Sequence, residues 1–533
     1  MFDVIIIGSG AAGLTAALNA KKSNTNVLVV SKTYPTHSQT VQAQGGINAV
    51  LYEGVDSVDQ HVDDTLKASK GLAIKDNIKL MCKEAKETIS WLNDIGVPFT
   101  RNENNQIAQR KFGGTKNIRT CYSSDYTGLK ILHTLYDQCI KEGIHFLNEH
   151  SLLNLIIENN KCLGATVLDI NTGEIKELSS KSLILASGGY SGIYTNFTTN
   201  SYANTGDGIA SAIRAGVELS NMEFIQFHPT ALKGSNILIS ESARGEGGYL
   251  LDYKYERFID ELKPRDEVSR AIFERISNNE NVYLDLRHLG IDKIKNLMPQ
   301  ERRLALEFSN VKLEDELLPI NPAAHYSMGG IKTDINCKTN IQNLYACGEC
   351  AQSSVHGANR LGGNSLLEIV SFGKIAGVNA ALNAKENKEE FISNTKQLLL
   401  DKKHINSIFK YSNEINFYSI KEEMGKNLFN NVGVFRDEDN MNKALSFINK
   451  AEKQISIMGV KDKELAYNKN LVEFLEFINM LEVSKLVIKS AILRKESRGA
   501  HFRVDYPMEE KTLEVNTLIT KNNNILNIKF EDK

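Results

Sequence analysis

The sequence predicts an α/β protein of the doubly wound type, interrupted by an inserted α+β capping domain and followed by a C-terminal helical domain. A short, fully apolar strand pattern at residues 4–7 runs directly into a glycine-rich turn and a helix. The α/β pattern gives way to a mixed, more charged segment and then resumes, and a long helical period follows. The predicted units are 1–221 and 324–384 for the two parts of the first domain, 222–323 for the capping domain, 385–510 for the helical domain and 511–533 for a C-terminal tail.

The N-terminal unit has the order strand, glycine turn, helix, strand. The turn is Gly8-Ser9-Gly10-Ala11-Ala12-Gly13, and the second strand covers residues 27–30. This places G-x-G-x-x-G between a strand and a helix, where glycines allow a tight turn and the helix N-terminus can receive a pyrophosphate. The second strand ends in Ser31-Lys32, whereas an acid usually stands there to hold a ribose hydroxyl. The pattern predicts a Rossmann-like dinucleotide-binding fold.

Composition excludes several classes of protein. The chain has 533 residues and a net charge of −2, which gives no electrostatic basis for binding nucleic acid or an anionic membrane surface. We find no apolar run of the roughly 18–20 residues needed to span a bilayer, and no signal peptide at the N-terminus. The seven cysteines are scattered, which favours a reducing compartment. We therefore expect a cytoplasmic protein whose contact with a membrane depends on partners.

Five loop segments carry a histidine or arginine beside Gly, Pro or Ser, where packing does not require one. These residues are His228, Arg244, Arg265, His325 and Arg360. Each has an ordinary alternative, because a single histidine can be a satisfied loop or core residue and a single arginine a surface ion-pair partner. Together, after a dinucleotide fold, they predict a pocket for a small dianion such as a dicarboxylate. The spacing Cys347-x-x-Cys350 ends a strand and has no second pair, so we predict neither a metal site nor an iron–sulfur cluster.

At this point the sequence resembles the flavoprotein subunits of fumarate reductase and succinate dehydrogenase, with L-aspartate oxidase as the nearest related family. The resemblance covers residues 2–508. It rests on motifs at 8–13, 43–46, 227–230, 244–247, 324–326, 356–368 and 494–501. It implies FAD on the N-terminal fold, covered by the capping domain.

The resemblance also implies roles for individual residues. Substrate carboxylates would be held by His228, Ser240, His325 and Arg360, with Phe112 beside them. Hydride would pass between FAD N5 and one alkene carbon, while Arg265 exchanges a proton with the other carbon through Glu241 and Arg244. The residues implied for cofactor binding are Gly8, Gly10, Ala11, Ala12, Gly13, Ser31, Lys32, Ser38, Gln39, Thr40, Gln44, Gly45, Gly46, Ala186, Ser187, Gly188, Asp207, Gly348, Glu349, Arg360, Asn364, Ser365 and Leu366.

One departure from the family concerns the attachment of FAD. A histidine in a Ser-His-Thr triplet usually carries the covalent bond, and the triplet here is Ser38-Gln39-Thr40. Because an amide cannot form that bond, and we see no reason for His37 to reach the same flavin carbon, we expect non-covalent FAD. A covalent link raises the flavin potential, so its loss favours fumarate reduction over succinate oxidation.

A second departure separates the two families. L-aspartate oxidase has an acid before a Gly-Gly turn to receive the substrate amine, and here that position is Phe112. Leaving an ammonium unpaired in a closed site would cost several kcal/mol, so the sequence favours a dicarboxylate without an amine. Two alternatives stay open: an L-aspartate oxidase that makes iminoaspartate for NAD biosynthesis, and a non-catalytic flavin electron carrier.

The resemblance further implies an iron–sulfur subunit and a membrane-anchor or quinone-reactive subunit as partners, and a place in anaerobic respiration or the tricarboxylic acid cycle on the inner face of the cell membrane.

Overall fold

A computed structural model describes residues 1–52, 54, 56–387, 395–523 and 525–533. Residues 388–394, inside the predicted helical segment 385–510, lie outside the described residues. The strands, in chain order, are β1 (Phe2–Ile7), β2 (Val27–Ser31), β3 (Ile47–Asn48), β4 (Gln109–Arg110), β5 (Thr120–Cys121), β6 (His145–Asn148), β7 (His150–Glu158), β8 (Lys161–Asp169), β9 (Ile175–Leu185), β10 (Leu219–Ser220), β11 (Ile225–Leu232), β12 (Tyr249–Leu251), β13 (Val282–Asp285), β14 (Leu318–Ser327), β15 (Gly330–Lys332), β16 (Leu344–Ala346), β17 (Ala351–Gln352), β18 (Asn516–Asn522) and β19 (Ile525–Glu531).

The α-helices connect and cover these strands. In chain order they are α1 (Ala11–Lys21), α2 (Val58–Ala68), α3 (Lys75–Asp94), α4 (Thr127–Lys141), α5 (Asp207–Arg214), α6 (Glu241–Gly245), α7 (Arg265–Ser277), α8 (Ile291–Leu297), α9 (Pro299–Ser309), α10 (Asn364–Glu386), α11 (Lys396–Ile408), α12 (Phe417–Asn431), α13 (Glu438–Lys453) and α14 (Lys469–Leu493).

The centre of the molecule is a parallel sheet that confirms the predicted fold class. β1 pairs in parallel with β2 and β9, β2 with β6, and β9 with β16. These strands are β-branched and apolar because both faces are covered: Ile5 and Ile6 are fully buried. The carboxyl ends of β1, β2, β9 and β16 lie at one edge of the sheet, which is where doubly wound folds bind ligands. A hairpin turn at Thr172-Gly173 joins β8 to β9, and these two strands pair antiparallel.

A second unit covers that edge. β11, β14, β13 and β12 form a four-stranded antiparallel sheet in that order. Its own core includes Val268, Ile272 and Leu284, which joins α7 to the sheet. We call residues 225–327 the cap. β14 passes through the predicted boundary between residues 323 and 324 and returns the chain to the parallel sheet.

The C-terminal part is helical over α11–α14, and its last strands return to the first domain. α14 packs against α13 and α5, and β18 pairs with β10. After α14, the buried guanidinium of Arg494 bonds Glu223 Oε1 at 2.7 Å and Glu496 Oε1 at 2.9 Å. Buried ion pairs of this kind strongly penalise loss of one partner, so they fix where the helical part meets the first domain.

One helix in the described part of the chain, α10, is long and apolar enough to cross a membrane by length and composition alone. Glu368 and Lys374 interrupt its sequence, so it contains no continuous apolar run of that length. Of its most apolar window, 67% is buried inside the protein. Gly373 and Gly377 bring it against the backbone of α1, where a Cβ would lie 2.6 Å from the oxygen of Ala12 and 2.2 Å from that of Ala16. α10 is therefore packed as a core helix.

Candidate functional site

A long cleft lies between the carboxyl edge of the parallel sheet and the cap. The empty space within it, counted out to the open mouth, is about 1420 Å³. We call the part beside the glycine turn of β1 the cofactor end, and the part beneath the cap the cap end. The cleft is lined by these predicted residues: Gly8, Gly10, Ala11, Ala12, Ser31, Lys32, Ser38, Gln39, Thr40, Gln44, Gly45, Gly46, Phe112, Ala186, Ser187, Gly188, His228, Ser240, Glu241, Arg265, His325, Gly348, Glu349, Arg360, Ser365 and Leu366.

The cofactor end is built by close backbone approach. Gly8 has a φ of +118°, and a Cβ there would lie 2.1 Å from the carbonyl oxygen of Ala186 at the end of β9. A Cβ at Gly13 would lie 2.0 Å from the oxygen of Gly8, so this glycine allows helix α1 to start against the turn. The Ala11 N–H donates to Thr40 Oγ1 at 3.1 Å, which ties the loop after β2 to the helix entry.

Several buried polar atoms in the cleft have no hydrogen-bond partner among the described residues. They are Ser38 Oγ, Gln44 Oε1, Ser187 Oγ and Asn204 Nδ2. Buried polar groups are nearly always satisfied in folded proteins, so this set fits a polar ligand that runs along the cleft. A dinucleotide with hydroxyls, phosphates and ring carbonyls has the required chemistry, and the residues present therefore fit the predicted FAD.

A buried ion cluster closes one side of the cofactor end. Lys32 Nζ lies 2.7 Å from Asp207 Oδ2 and 2.6 Å from Glu476 Oε1 on α14. Burial alone would lower the pKa of Lys32, but the two carboxylates outweigh it and raise the pKa. Burial likewise opposes ionisation of Asp207, yet Lys32 brings its pKa below the ordinary value. Lys32, the residue directly after β2, is therefore held by acids from two other segments.

Two histidines at the cap end are held neutral. His228 and His325 lie edge to face with ring centroids 4.9 Å apart. His325 Nδ1 bonds Thr199 Oγ1 at 2.8 Å, which leaves Nε2 as its nitrogen for a ligand. Burial is the main cause that puts the pKa of both histidines well below the usual range, and the positive charge of Arg265 adds to it. Neutral imidazoles can donate one hydrogen bond each to a carboxylate without repelling it or one another.

The predicted proton-transfer residues meet at the base of the cap. Arg265, the first residue of α7, donates from Nε to Glu241 Oε2 at 2.8 Å. Arg244 Nη2 lies 3.9 Å from the other carboxylate oxygen, Glu241 Oε1, which also accepts from the Gly113 N–H at 2.9 Å. Burial would raise the pKa of Glu241, but Arg265 and Arg244 lower it below the ordinary value. Glu241 is thus an ionised carboxylate between two guanidiniums.

Arg360 lies in the loop before α10 and faces the same cleft as Arg265. Its guanidinium carbon lies 4.2 Å over the ring of Tyr326, and Nη2 donates to Gln226 Oε1 at 3.2 Å. Its buried Nε has no partner among the described residues. Burial and then the charge of Arg265 lower the pKa of Arg360 to about 10. Arg360 is therefore a cation with a donor available to an anion in the cleft.

Two residues that departed from the family pattern also line the cleft. Phe112 is 2% exposed, and a Cβ at Gly45 would come within 2.6 Å of its ring. Gln39 Oε1 accepts from the Ser201 N–H at 2.8 Å, and its Nε2 donates to Gln42 at 3.1 Å. The sequence reasoning gave His37 no route to the cofactor, yet His37 lines the same cleft.

Four predicted residues do not line the main cleft. Gly13 packs against the turn, Arg244 lies behind Glu241, and Asp207 lines a smaller adjoining cavity that shares Gly8 and Lys32 with it. Asn364 Oδ1 accepts from Asn48 Nδ2 at 2.8 Å, within a buried network beneath the loop. Cleft residues outside the motifs of the sequence are Thr33, Gln42, Ser201, Ala203, Asn204, Leu238 and Ile369; their positions depend on how distant segments pack, which no local motif encodes.

The C-x-x-C pair lies below the cofactor end. Burial raises the pKa of Cys350 to about 11 and puts that of Cys347 well above its usual range. Cys350 Sγ donates to the carbonyl of Leu185 at 3.2 Å. Both are thus protonated, inert thiols that pack behind β9.

Two family models match the chain. The model described as the FAD binding domain matches residues 3–366, and the model described as the fumarate reductase flavoprotein C-terminus matches residues 421–532. The first spans the parallel sheet, the cap and the start of α10, and the second spans α12 to β19.

Curated relatives and solved structures align over nearly the whole chain. The chain is 41% identical to the 8-methylmenaquinol:fumarate reductase flavoprotein subunit of Wolinella succinogenes, over 95% of this chain and 86% of that protein. It is 38% identical to the succinate dehydrogenase flavoprotein subunit of Rickettsia bellii, over 95% and 90%. A solved quinol-fumarate reductase with menaquinol molecules superposes with a TM-score of 0.96 at 32% identity, covering 100% of this chain and 98% of that one.

Proposed function

This chain belongs to the family of fumarate reductase and succinate dehydrogenase flavoprotein subunits, and from that premise we propose how its site works. It is an FAD-dependent oxidoreductase and the catalytic subunit for the interconversion of fumarate and succinate. The proposal assigns FAD to the cofactor end of the cleft and the dicarboxylate to the cap end.

The glycine turn 8–13 and the start of α1 would hold the pyrophosphate of FAD, because a close backbone and a helix N-terminus favour an anion. Ser38, Gln44 and Ser187 would bond its polar groups with atoms that otherwise lack partners among the described residues. FAD, when bound, gives or accepts the hydride. The protein residues described below do the rest of the chemistry.

The cap end matches a dicarboxylate dianion in charge. Arg265, Arg244 and Arg360 are cations and Glu241 is an anion, which leaves two positive charges. Arg360 would bind one carboxylate, and His228 and His325 would donate to the carboxylates as neutral imidazoles. Because these charges are fixed in a dry cleft, they polarise the double bond with little reorganisation. Ser240 Oγ, which lines the cleft at the start of α6, supplies a further hydroxyl.

Arg265 is the residue we assign to proton transfer with the substrate carbon. A guanidinium is a poor acid unless it is reprotonated at once. Glu241, in direct contact with Arg265, and Arg244 behind it form the path that resupplies the proton. In the succinate-oxidising direction the same groups would accept the proton.

The observation that carries this proposal is that Arg265 and Arg360, from segments 95 residues apart in sequence, face one cleft with Glu241 and two neutral histidines. We expect the FAD-loaded chain to reduce fumarate with a reduced dye and to oxidise succinate more slowly. Aspartate should give no peroxide at a comparable rate, because Phe112 offers no partner for its amine. Aspartate-dependent peroxide at the rate of fumarate reduction would instead assign the chain to L-aspartate oxidation, and no turnover of any of the three would favour an electron carrier.

We further infer that FAD is bound without a covalent link. Gln39 stands in place of the usual histidine, and its side chain is already bonded to Ser201 and Gln42. Acid precipitation should leave all of the flavin in the supernatant. Flavin retained on the polypeptide would contradict this, and its loss in a His37→Ala variant would then identify His37 as the attachment point.

As a flavoprotein subunit, this chain works with other chains. We propose an iron–sulfur subunit that takes electrons to or from FAD, and an anchor or quinone-reactive subunit that holds the assembly on the cytoplasmic face of the membrane. The chemistry supports this, since the described residues contain no group of His, Cys, Asp and Glu that could hold a metal ion. Co-purification of a tagged chain from membranes, with iron and acid-labile sulfide measured in the complex, tests it.

A further inference from the structure

Gln226 on β11 lies directly behind the two arginines that face the cleft. It is fully buried, and its side chain does not line the cleft. Its Oε1 accepts from Arg265 Nη1 at 3.1 Å and from Arg360 Nη2 at 3.2 Å. One neutral oxygen therefore bridges the proposed proton donor and the proposed carboxylate clamp.

The orientation of this amide is determined by its other end. Nε2 donates to Asn359 Oδ1 at 2.8 Å and to the backbone oxygen of Arg360 at 2.8 Å. Both partners are acceptors, so the amide nitrogen must face them and the oxygen must face the guanidiniums. Asn359 is oriented in the same way, because its Nδ2 donates to the carboxylate of Asp266 at 2.9 Å.

The chain of bonds crosses the boundary between the cap and the parallel-sheet domain. Asp266 and Arg265 are neighbours at the start of α7 in the cap, whereas Asn359 and Arg360 are neighbours in the loop before α10. Asp266 is in turn bonded to Arg270 at 2.9 Å, and Arg270 donates to the Gly499 oxygen of the C-terminal part at 3.0 Å. Gln226 is the point at which these segments meet between the two cations.

We propose that Gln226 is a positioning residue for fumarate reduction, which sets the spacing of Arg265 and Arg360 so that one substrate meets the proton donor and the clamp together. The inference rests on the proposed function of these arginines. Two guanidiniums that share an acceptor are held close in spite of their repulsion. A neutral oxygen can do this without neutralising either cation, whereas a carboxylate would compete with the substrate for both.

Two variants separate this role from simple folding. In Gln226→Leu the acceptor is lost, so Arg265 and Arg360 move apart while each keeps its charge. In Gln226→Glu the acceptor is kept but an anion is added beside the clamp. Gln352→Leu is the matched control, because Gln352 is also buried, at 3% exposure, and does not line the cleft. Each FAD-loaded protein is assayed for fumarate reduction, and for binding of malonate, a non-reducible dicarboxylate, by the change in flavin absorbance.

We expect Gln226→Leu to lower kcat by about tenfold to a hundredfold, since displacement of a catalytic group by an ångström has this effect, with less than about threefold change in the malonate Kd. Gln226→Glu should weaken malonate binding by about tenfold or more, because the new carboxylate occupies the clamp. The control should keep kcat, malonate Kd and FAD content close to wild type.

Three results would overturn the proposal: a kcat within twofold of wild type in Gln226→Leu, equal losses of kcat and malonate affinity in that variant, or unchanged malonate affinity in Gln226→Glu. Failure of the wild-type protein to reduce fumarate would instead remove the proposed function on which this inference depends.

Discussion

The two ends of the cleft are built by different means. The cofactor end is mainly backbone: Gly8 and Gly13 allow approaches that a Cβ would block, and its charged residue Lys32 is held by acids. The cap end is mainly side chain: the neutral amide of Gln226 bridges Arg265 and Arg360, and the carboxylate of Glu241 also bonds Arg265. In the assignment we propose, FAD would be held by shape and many weak contacts, whereas the small dianion would be held by fixed charge.

The largest effect should come from the proton donor at the cap end. We expect Arg265→Ala to lower kcat for fumarate reduction by about 10³–10⁴-fold, the upper range for a positioned acid, while FAD stays bound. Steady-state assays with a reduced dye and flavin absorbance measure the two quantities. Arg303→Ala is the control, since Arg303 is 57% exposed on α9 of the cap. A loss of FAD in Arg265→Ala as large as the loss of kcat would contradict the assignment of separate roles to the two ends of the cleft.

The corresponding change at the cofactor end should remove flavin rather than slow turnover. In Gly8→Val the new Cβ would strike the carbonyl of Ala186, at a φ of +118° that a β-branched residue rarely adopts. Such strain and clash should weaken FAD binding by roughly 2–3 kcal/mol. We therefore expect less than a tenth of the wild-type flavin per folded chain. Gly143→Val is the control, because Gly143 also has a positive φ of +64° but a Cβ there meets nothing within 4 Å. Circular dichroism distinguishes loss of flavin from loss of fold, and normal flavin content in Gly8→Val would contradict the backbone-contact model.

A conservative change at the clamp should act on affinity. Arg360→Lys keeps a positive charge but loses the planar fork and the stacking on Tyr326. We expect the KM for fumarate to rise by about ten- to a hundredfold, the equivalent of one or two charge-assisted hydrogen bonds, with flavin content unchanged. A KM within twofold of wild type would mean that Arg360 does not bind the substrate carboxylate.

How much the sequence could predict differs between the ends. The glycine turn of the cofactor end follows from one local motif, because strand, turn and helix are contiguous and their geometry depends on near neighbours. The cap end was predicted only as a set of scattered residues and, in detail, by resemblance. Gln226 lies next to the motif at 227–230, but no local pattern assigns it a role, because its contacts are with Asn359 and Arg360, more than 130 residues away. Asn364 is the opposite case. It lies in a motif and was expected to bind the cofactor, but its side chain bonds Asn48 in a buried network.

The smallest expected effect is a difference in pH dependence between ligand binding at the two ends of the cleft. Because burial, reinforced by Arg265, lowers the pKa of Arg360 to about 10, the clamp is a cation at neutral pH and loses its charge progressively as the pH rises through about 10. Malonate affinity should therefore fall as pH rises through about 10, approaching tenfold per pH unit when the anion binds only the cation. Glu349 and Glu368 contribute an earlier, weaker decline, since burial raises their pKa values to about 7 and about 8 and their ionisation adds negative charge near Arg360. Retention of FAD, measured over the same pH series, should change less at pH 10 than malonate affinity does, because the cofactor end is built mainly by backbone contacts of Gly8 and Gly13. A common step in both titrations would show that the two ends are coupled through the loop before α10.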